Sequence, residues 1–79
     1  MKVNLLFFGA TADKTGKREM ELSLDESITT SQALSKIVEQ FPQLRDHKLL
    51  VSINLSYVVG ERVLQDGDEL AIFTAVSGG

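Results

Sequence analysis

The stretch TTSQALSKIVEQFP, residues 29–42, decides the fold, because here the apolar residues recur with a helical period. Thr29 followed three residues later by Gln32 has the form of a capping box. In that motif each of the two side chains satisfies a backbone N–H at the start of the helix. Leu34, Ile37, Val38 and Phe41 then fall at i, i+3, i+4 and i+7. Ser35, Lys36, Glu39 and Gln40 take the wet side, and Pro42 ends the run. One amphipathic helix can cover one face of one sheet.

The segments on either side of the helix read as strands. Residues 2–8 place Val3, Leu5 and Phe7 on one face and Leu6 and Phe8 on the other, the doubly apolar pattern of a central strand. Residues 9–16 are small and polar enough to be a loop. Residues 17–24 alternate, with Met20, Leu22 and Leu24 inward and Glu19, Glu21 and Ser23 outward, as a half-exposed strand does. After the helix, Leu49, Val51, Ile53 and Leu55 alternate with Leu50, Ser52 and Asn54. A short strand at 57–59, a turn at Gly60, a tight turn at Gln65-Asp66-Gly67-Asp68 and a last strand at 69–73 follow. The expected order is β-β-α-β-β-β, an α+β fold with a single mixed sheet packed on one main helix.

Composition limits the chemistry. Seventy-nine residues with 43% hydrophobic and 24% charged content describe one globular domain over 1–79, with a flexible C-terminal tail at 74–79. There is no cysteine, and His47 is the lone histidine, so thiol catalysis, disulfides and histidine-based metal sites are set aside. Net charge is −3, and the eight basic residues are scattered rather than gathered into a stripe that would neutralise phosphates; no nucleic-acid partner is expected. No window approaches a membrane span and the start lacks a signal-peptide pattern, so a cytoplasmic protein is expected. Asp66, Asp68 and Glu69 lack the longer ligand spacing of a calcium loop and read as a solvated turn, and no metal site is expected.

The remaining chemistry sits in Thr74-Ala75-Val76-Ser77-Gly78-Gly79. Fully extended, six residues reach roughly 20 Å, far enough to enter a narrow cleft of another protein. The two glycines leave the end of that thread without side chains and let a foreign site approach the backbone closely. An α-carboxylate, anionic at neutral pH, can attack the α-phosphate of ATP to give an acyl adenylate, and an activated carboxyl can then accept sulfur.

Four pieces, Val3-Asn4-Leu5-Leu6-Phe7-Phe8-Gly9, Leu50-Val51-Ser52-Ile53-Asn54, Asp66-Gly67-Asp68-Glu69-Leu70 and Val76-Ser77-Gly78-Gly79, occur in an order and spacing that resemble the MoaD family. These are the molybdopterin synthase small subunits, within the wider MoaD and ThiS group of ubiquitin-like sulfur carriers. The resemblance spans essentially the whole chain and implies a β-grasp fold. It further implies that an E1-like (MoeB-like) enzyme uses ATP to adenylate Gly79, and that a sulfur donor protein converts it to a thiocarboxylate. Gly78, Ser77, Val76, Ala75 and Thr74 would thread into a MoaE-like large subunit, in a heterotetramer, where sulfur passes to cyclic pyranopterin monophosphate to build molybdopterin. No permanently bound cofactor is implied. The chain departs from the family in one respect, since Thr74-Ala75 stands where the family usually has Pro-Pro, and two prolines would hold the tail extended in advance.

By alternation Phe8 and Phe73 lie on the face opposite the helix, and these two, joined by Tyr57, are the expected docking patch for the large subunit. A carrier for another pathway, of the thiazole-forming ThiS type or for tRNA thiolation, starts from the same adenylate. So does a ubiquitin-like protein modifier joined to lysines. A plain interaction module with an inert end is the remaining alternative.

Overall fold

The computed structural model describes residues 1–58 and 60–74 of the chain. Five strands form one mixed sheet: β1 (Lys2–Phe7), β2 (Glu19–Ser23), β3 (Leu49–Ile53), β4 (Ser56–Tyr57) and β5 (Glu69–Thr74). Their spatial order is β2-β1-β5-β3-β4, with β1 and β5 parallel and the other neighbours antiparallel. The helices are α1 (Ala10–Thr15) and α2 (Thr30–Gln40). This is the expected single mixed sheet on one main helix, with the strands and that helix in the expected order along the chain.

Helix α2 starts as its sequence predicts. Thr29 accepts from the Gln32 N–H through its hydroxyl while the Gln32 carboxamide accepts from the Thr29 N–H at 2.9 Å, so both halves of the capping box are formed. The helix ends at Gln40, and Pro42 opens a 3₁₀ turn, Pro42–Leu44, that buries Leu44 completely. Ile37 and Phe41 enter the core, and the Phe41 ring meets Phe7 edge-on at 5.6 Å. Ala33 is as buried as Ile37, whereas Leu34 and Val38 are half-buried at the margin; the buried stripe is therefore rotated slightly from the one the larger side chains suggest.

Several boundaries differ from expectation. Residues 9–16 are not a plain loop, because Ala10–Thr15 form the short helix α1, closed by Gly16 in the left-handed region at φ 73. β3 ends at Ile53 rather than continuing through Leu55, because Asn54 and Leu55, at φ 50 and 72, make the two-residue turn into β4. Consequently Leu55 lies in an exposed turn instead of continuing the strand. β4 begins at Ser56, one residue early, and Val59 of the expected 57–59 strand lies outside the described residues. β5 runs one residue further than expected: Thr74, assigned to the tail, is its last residue and pairs with Leu49.

The Asp66-Gly67 turn ties the start of β5 to the start of β1. Gly67 sits at φ 85, an angle suited to glycine. The Asp66 carboxylate accepts from the Lys2 N–H at 2.7 Å. Asp68, nearly buried, accepts from the Gln65 N–H at 2.8 Å and from the Asn54 amide at 3.0 Å. These acidic groups hold the backbone in place, and among the described residues no His, Asp or Glu side chains gather in a group of three that could hold a metal. Nor is any described helix long and apolar enough to cross a membrane. The loop after Gly60 is fastened to the start of α2 by the Thr30 N–H to Arg62 C=O bond and by Ser31 bonding the Glu61 carboxylate. The bonds from Ser31 and Thr29 hold the Glu61 carboxyl below the ordinary carboxylate range.

Candidate functional site

Strand β5 runs between β1 and β3, so whatever follows Thr74 leaves from the middle of the sheet rather than from an edge. Its residues alternate between the two faces, and on the outer one Ala71 is also buried. Leu70 and Ile72 point into the core and are buried, whereas Phe73 lies on the opposite face and is half-buried.

The sheet register then assembles the patch. Phe73 pairs with Leu50 of β3, and Phe8, just past the end of β1, donates its N–H to the Ile72 C=O at 3.2 Å, which sets it beside Phe73. The Phe8 and Phe73 ring centroids are 5.7 Å apart and those of Tyr57 and Phe73 5.8 Å apart, both tilted pairs. Phe8 and Tyr57 are 48% and 73% exposed, and Leu50 39%, so this is apolar surface open to solvent beside the residue where the tail begins. All three residues expected at the docking face are thus brought together, with Phe73 as the hub that touches both others.

Two contributors were absent from the expectation. Leu50 joins the patch because it stands directly opposite Phe73, and its signal was available in the alternation of β3. Thr11, fully buried in α1, had no local signal. Its hydroxyl accepts from the Phe8 N–H at 3.0 Å and lies 2.7 Å from the Phe8 C=O and 2.8 Å from the Ile72 C=O, either of which can take its proton. That one side chain fastens the end of β1 to the end of β5, at the point where the patch meets the exit of the tail.

Of the expected tail residues, Thr74 lies in β5, while Ala75, Val76, Ser77, Gly78 and Gly79 lie outside the described residues. His47 is held by its backbone N–H to the Leu44 C=O after the 3₁₀ turn, on a different segment from the aromatic patch. The described residues provide an exposed aromatic face beside the end of β5, with no paired acid and base at the patch. Such an arrangement suits delivery of a reacting end into another protein's site.

The chain matches the ThiS family over residues 5–79. It is 32% identical over 84 residues to the molybdopterin synthase sulfur carrier subunit of Mycobacterium tuberculosis, covering 100% of this chain and 99% of that protein. To the human protein of the same name it is 32% identical over 83 residues, covering 99% and 94%. Among solved structures it resembles SAMP1 of Haloferax volcanii, the small archaeal modifier protein 1, with 28% identity, full coverage of both chains and a TM-score of 0.84.

Proposed function

We propose, from the premise that this chain belongs to the ThiS family, that it is the sulfur carrier subunit of a molybdopterin synthase. The relatives of that name from Mycobacterium tuberculosis and human match it over 99% and 94% of their own length. The observation that carries the reading is the exposed Phe8, Phe73 and Tyr57 cluster set around the point where β5 ends and the tail begins. A carrier must do two things at once, grip a partner and present its end to it. A docking face at the root of the tail serves both.

In this reading the Gly79 carboxylate attacks the α-phosphate of ATP on an E1-like activating enzyme, releasing pyrophosphate and leaving an acyl adenylate. A sulfur donor protein then supplies sulfur, AMP departs, and a thiocarboxylate remains. The carrier docks through Phe8, Tyr57 and Phe73 on the large subunit, in a heterotetramer in the cytoplasm, and Thr74 to Gly79 run into that subunit's active site. Sulfur passes to cyclic pyranopterin monophosphate and the carboxylate is regenerated. The carrier contributes the reacting group and the partner contributes the acid and base.

The likeness to small archaeal modifier protein 1 favours a second reading, in which the same adenylate is captured by lysine amines of other proteins. One reconstitution separates the two. The chain is incubated with activating enzyme, ATP and a sulfur donor, and its intact mass is followed before and after large subunit and precursor are added. Exchange of one oxygen for sulfur, reversed as molybdopterin forms, is the expected result. Amide-linked adducts without that exchange point to the modifier.

A further inference from the structure

The hairpin that carries Tyr57 ends in a leucine that the fold does not use. Ile53 pairs with Ser56, so Asn54 and Leu55 are the whole of the connecting turn, and both have positive φ, at 50 and 72. That is the type I′ turn, whose second position strongly favours glycine because a side chain there crowds the backbone. A γ-branched residue in this region is an outlier. Leu55 is nevertheless there, 89% exposed, the most exposed of the large apolar side chains among the described residues.

Its neighbour explains why the turn holds. The Asn54 amide donates to Asp68 at 3.0 Å, and its carbonyl oxygen accepts from the Glu69 N–H at 2.9 Å, so the turn is bolted to the start of β5. Leu55 is therefore displayed on a stiff support, and a group already fixed in place loses little freedom when it is bound. A residue that is both strained and exposed is the signature of a site shaped by something other than stability.

We infer that Leu55 is a second anchor for the large synthase subunit, seated in an apolar hollow of that partner and extending the Phe8, Phe73, Tyr57 face along the β3-β4 hairpin. The inference rests on the sulfur-carrier reading and goes beyond it by naming a contact at the far end of the hairpin from the tail. Continuity with the patch supports the choice of partner, because Leu55 is two residues from Tyr57. It also stands about 10–15 Å along the strands from the pair Leu50 and Phe73. A standard interface covers about 800 Å² on each partner, a disc of roughly 16 Å radius. Centred on the aromatic cluster, that disc reaches the hairpin tip.

Stability and binding should move in different directions, which a merely structural residue cannot produce. Leu55→Gly and Leu55→Asn both suit positive φ. The expected result is a melting temperature equal to or a few degrees above wild type, together with about tenfold or greater weakening of binding to the purified large subunit. Calorimetry of wild type, the two Leu55 variants and Phe73→Asp against that subunit reads the second quantity. Unchanged affinity for both Leu55 variants, with Phe73→Asp weakened, overturns the inference and leaves the sulfur-carrier reading intact. A lowered melting temperature in both variants places Leu55 in the fold and overturns it, as does weakening confined to the activating enzyme. Failure of wild type itself to bind the large subunit overturns both, and the silent Phe73→Asp control identifies that case.

Discussion

The two faces of the sheet are built from alternate residues of the same strands, yet they have opposite fates. On the inner face Val3, Leu5, Ile53, Leu70 and Ile72 are all at most 1% exposed, closed over by α2 and the 3₁₀ turn. On the outer face Phe8, Leu50 and Tyr57 are exposed, with Phe73 half-buried among them. With a single main helix, a sheet of this size can be covered on one side, so the other side remains available as surface. Adjacent residues of β5, Ile72 and Phe73, thus stand in separate physical settings, which the proposed function uses for separate tasks. On that reading, stability and recognition should be alterable independently along one strand.

The largest expected effect involves neither face. Deleting Gly79 should leave the melting temperature and the affinity for the large subunit nearly unchanged, because the core and the patch lie elsewhere. Sulfur transfer should fall by about 10²-fold or more, since one residue displaces the reacting carbon by about 3.5 Å in a site where 1 Å matters. Intact mass and precursor conversion read this out. Transfer at the wild-type rate would show that the chemistry is not at the end of the chain.

The faces themselves are tested by a pair of neighbouring substitutions. Ile72→Ala removes fully buried volume and should cost about 2–5 kcal/mol of stability in a denaturant titration. Phe73→Asp should instead cost about 2–4 kcal/mol of binding by putting a charge into a desolvated contact, while the isolated domain stays folded. If Phe73→Asp unfolds the domain, the outer face is part of the core and the contrast between the two faces collapses.

Thr11 is where the two tasks meet, and it also marks the limit of what the sequence discloses. Thr11→Val keeps the volume but removes the hydroxyl that bonds the Phe8 N–H and the Phe8 and Ile72 carbonyls, leaving those groups only their backbone partners, and should cost about 0.5–1.5 kcal/mol of stability. Thr11→Ser, which keeps the hydroxyl, should recover most of it. Because Phe8 is held by this residue, the valine variant should also bind the large subunit more weakly at temperatures where it remains folded. The capping box at Thr29, the stop at Pro42 and the alternation of β1 and β5 were legible because each is a local pattern. Phe8 and Phe73 could be assigned to one face by the same parity, whereas the place of Tyr57 on it follows from its pairing with Ser52. Helix α1 was not legible, since six residues between glycines offer too little periodicity, and the role of Thr11 depends on a bond across 61 positions of sequence. Leu55 was misplaced because an unbroken alternation from Leu49 continues through it, whereas the Asn54 turn overrides that pattern.

The smallest effect concerns the join between the outer face and the tail. The Asn54 N–H donates to the Glu69 C=O, which makes that couple a hydrogen-bonded pair of the β3-β5 ladder. Pairs alternate along an antiparallel ladder, so Leu50–Phe73 is hydrogen-bonded and Leu49–Thr74 is not. The Thr74 N–H is therefore not needed by β3, and proline at 74 leaves that ladder intact even though Thr74 belongs to the strand. The double substitution Thr74→Pro with Ala75→Pro should therefore fold normally and stiffen the start of the tail. Each proline should strengthen binding to the large subunit by about 0.4–1 kcal/mol, through lost freedom in the unbound chain, provided the bound backbone matches its fixed φ. Calorimetry against wild type decides the matter. A gain confined to the entropy of binding would place the tail in the interface as a separate, ordering-limited contribution. An unchanged or weaker affinity would mean that Thr74 or Ala75 bends or donates an N–H in the complex, and that docking and threading are not independent.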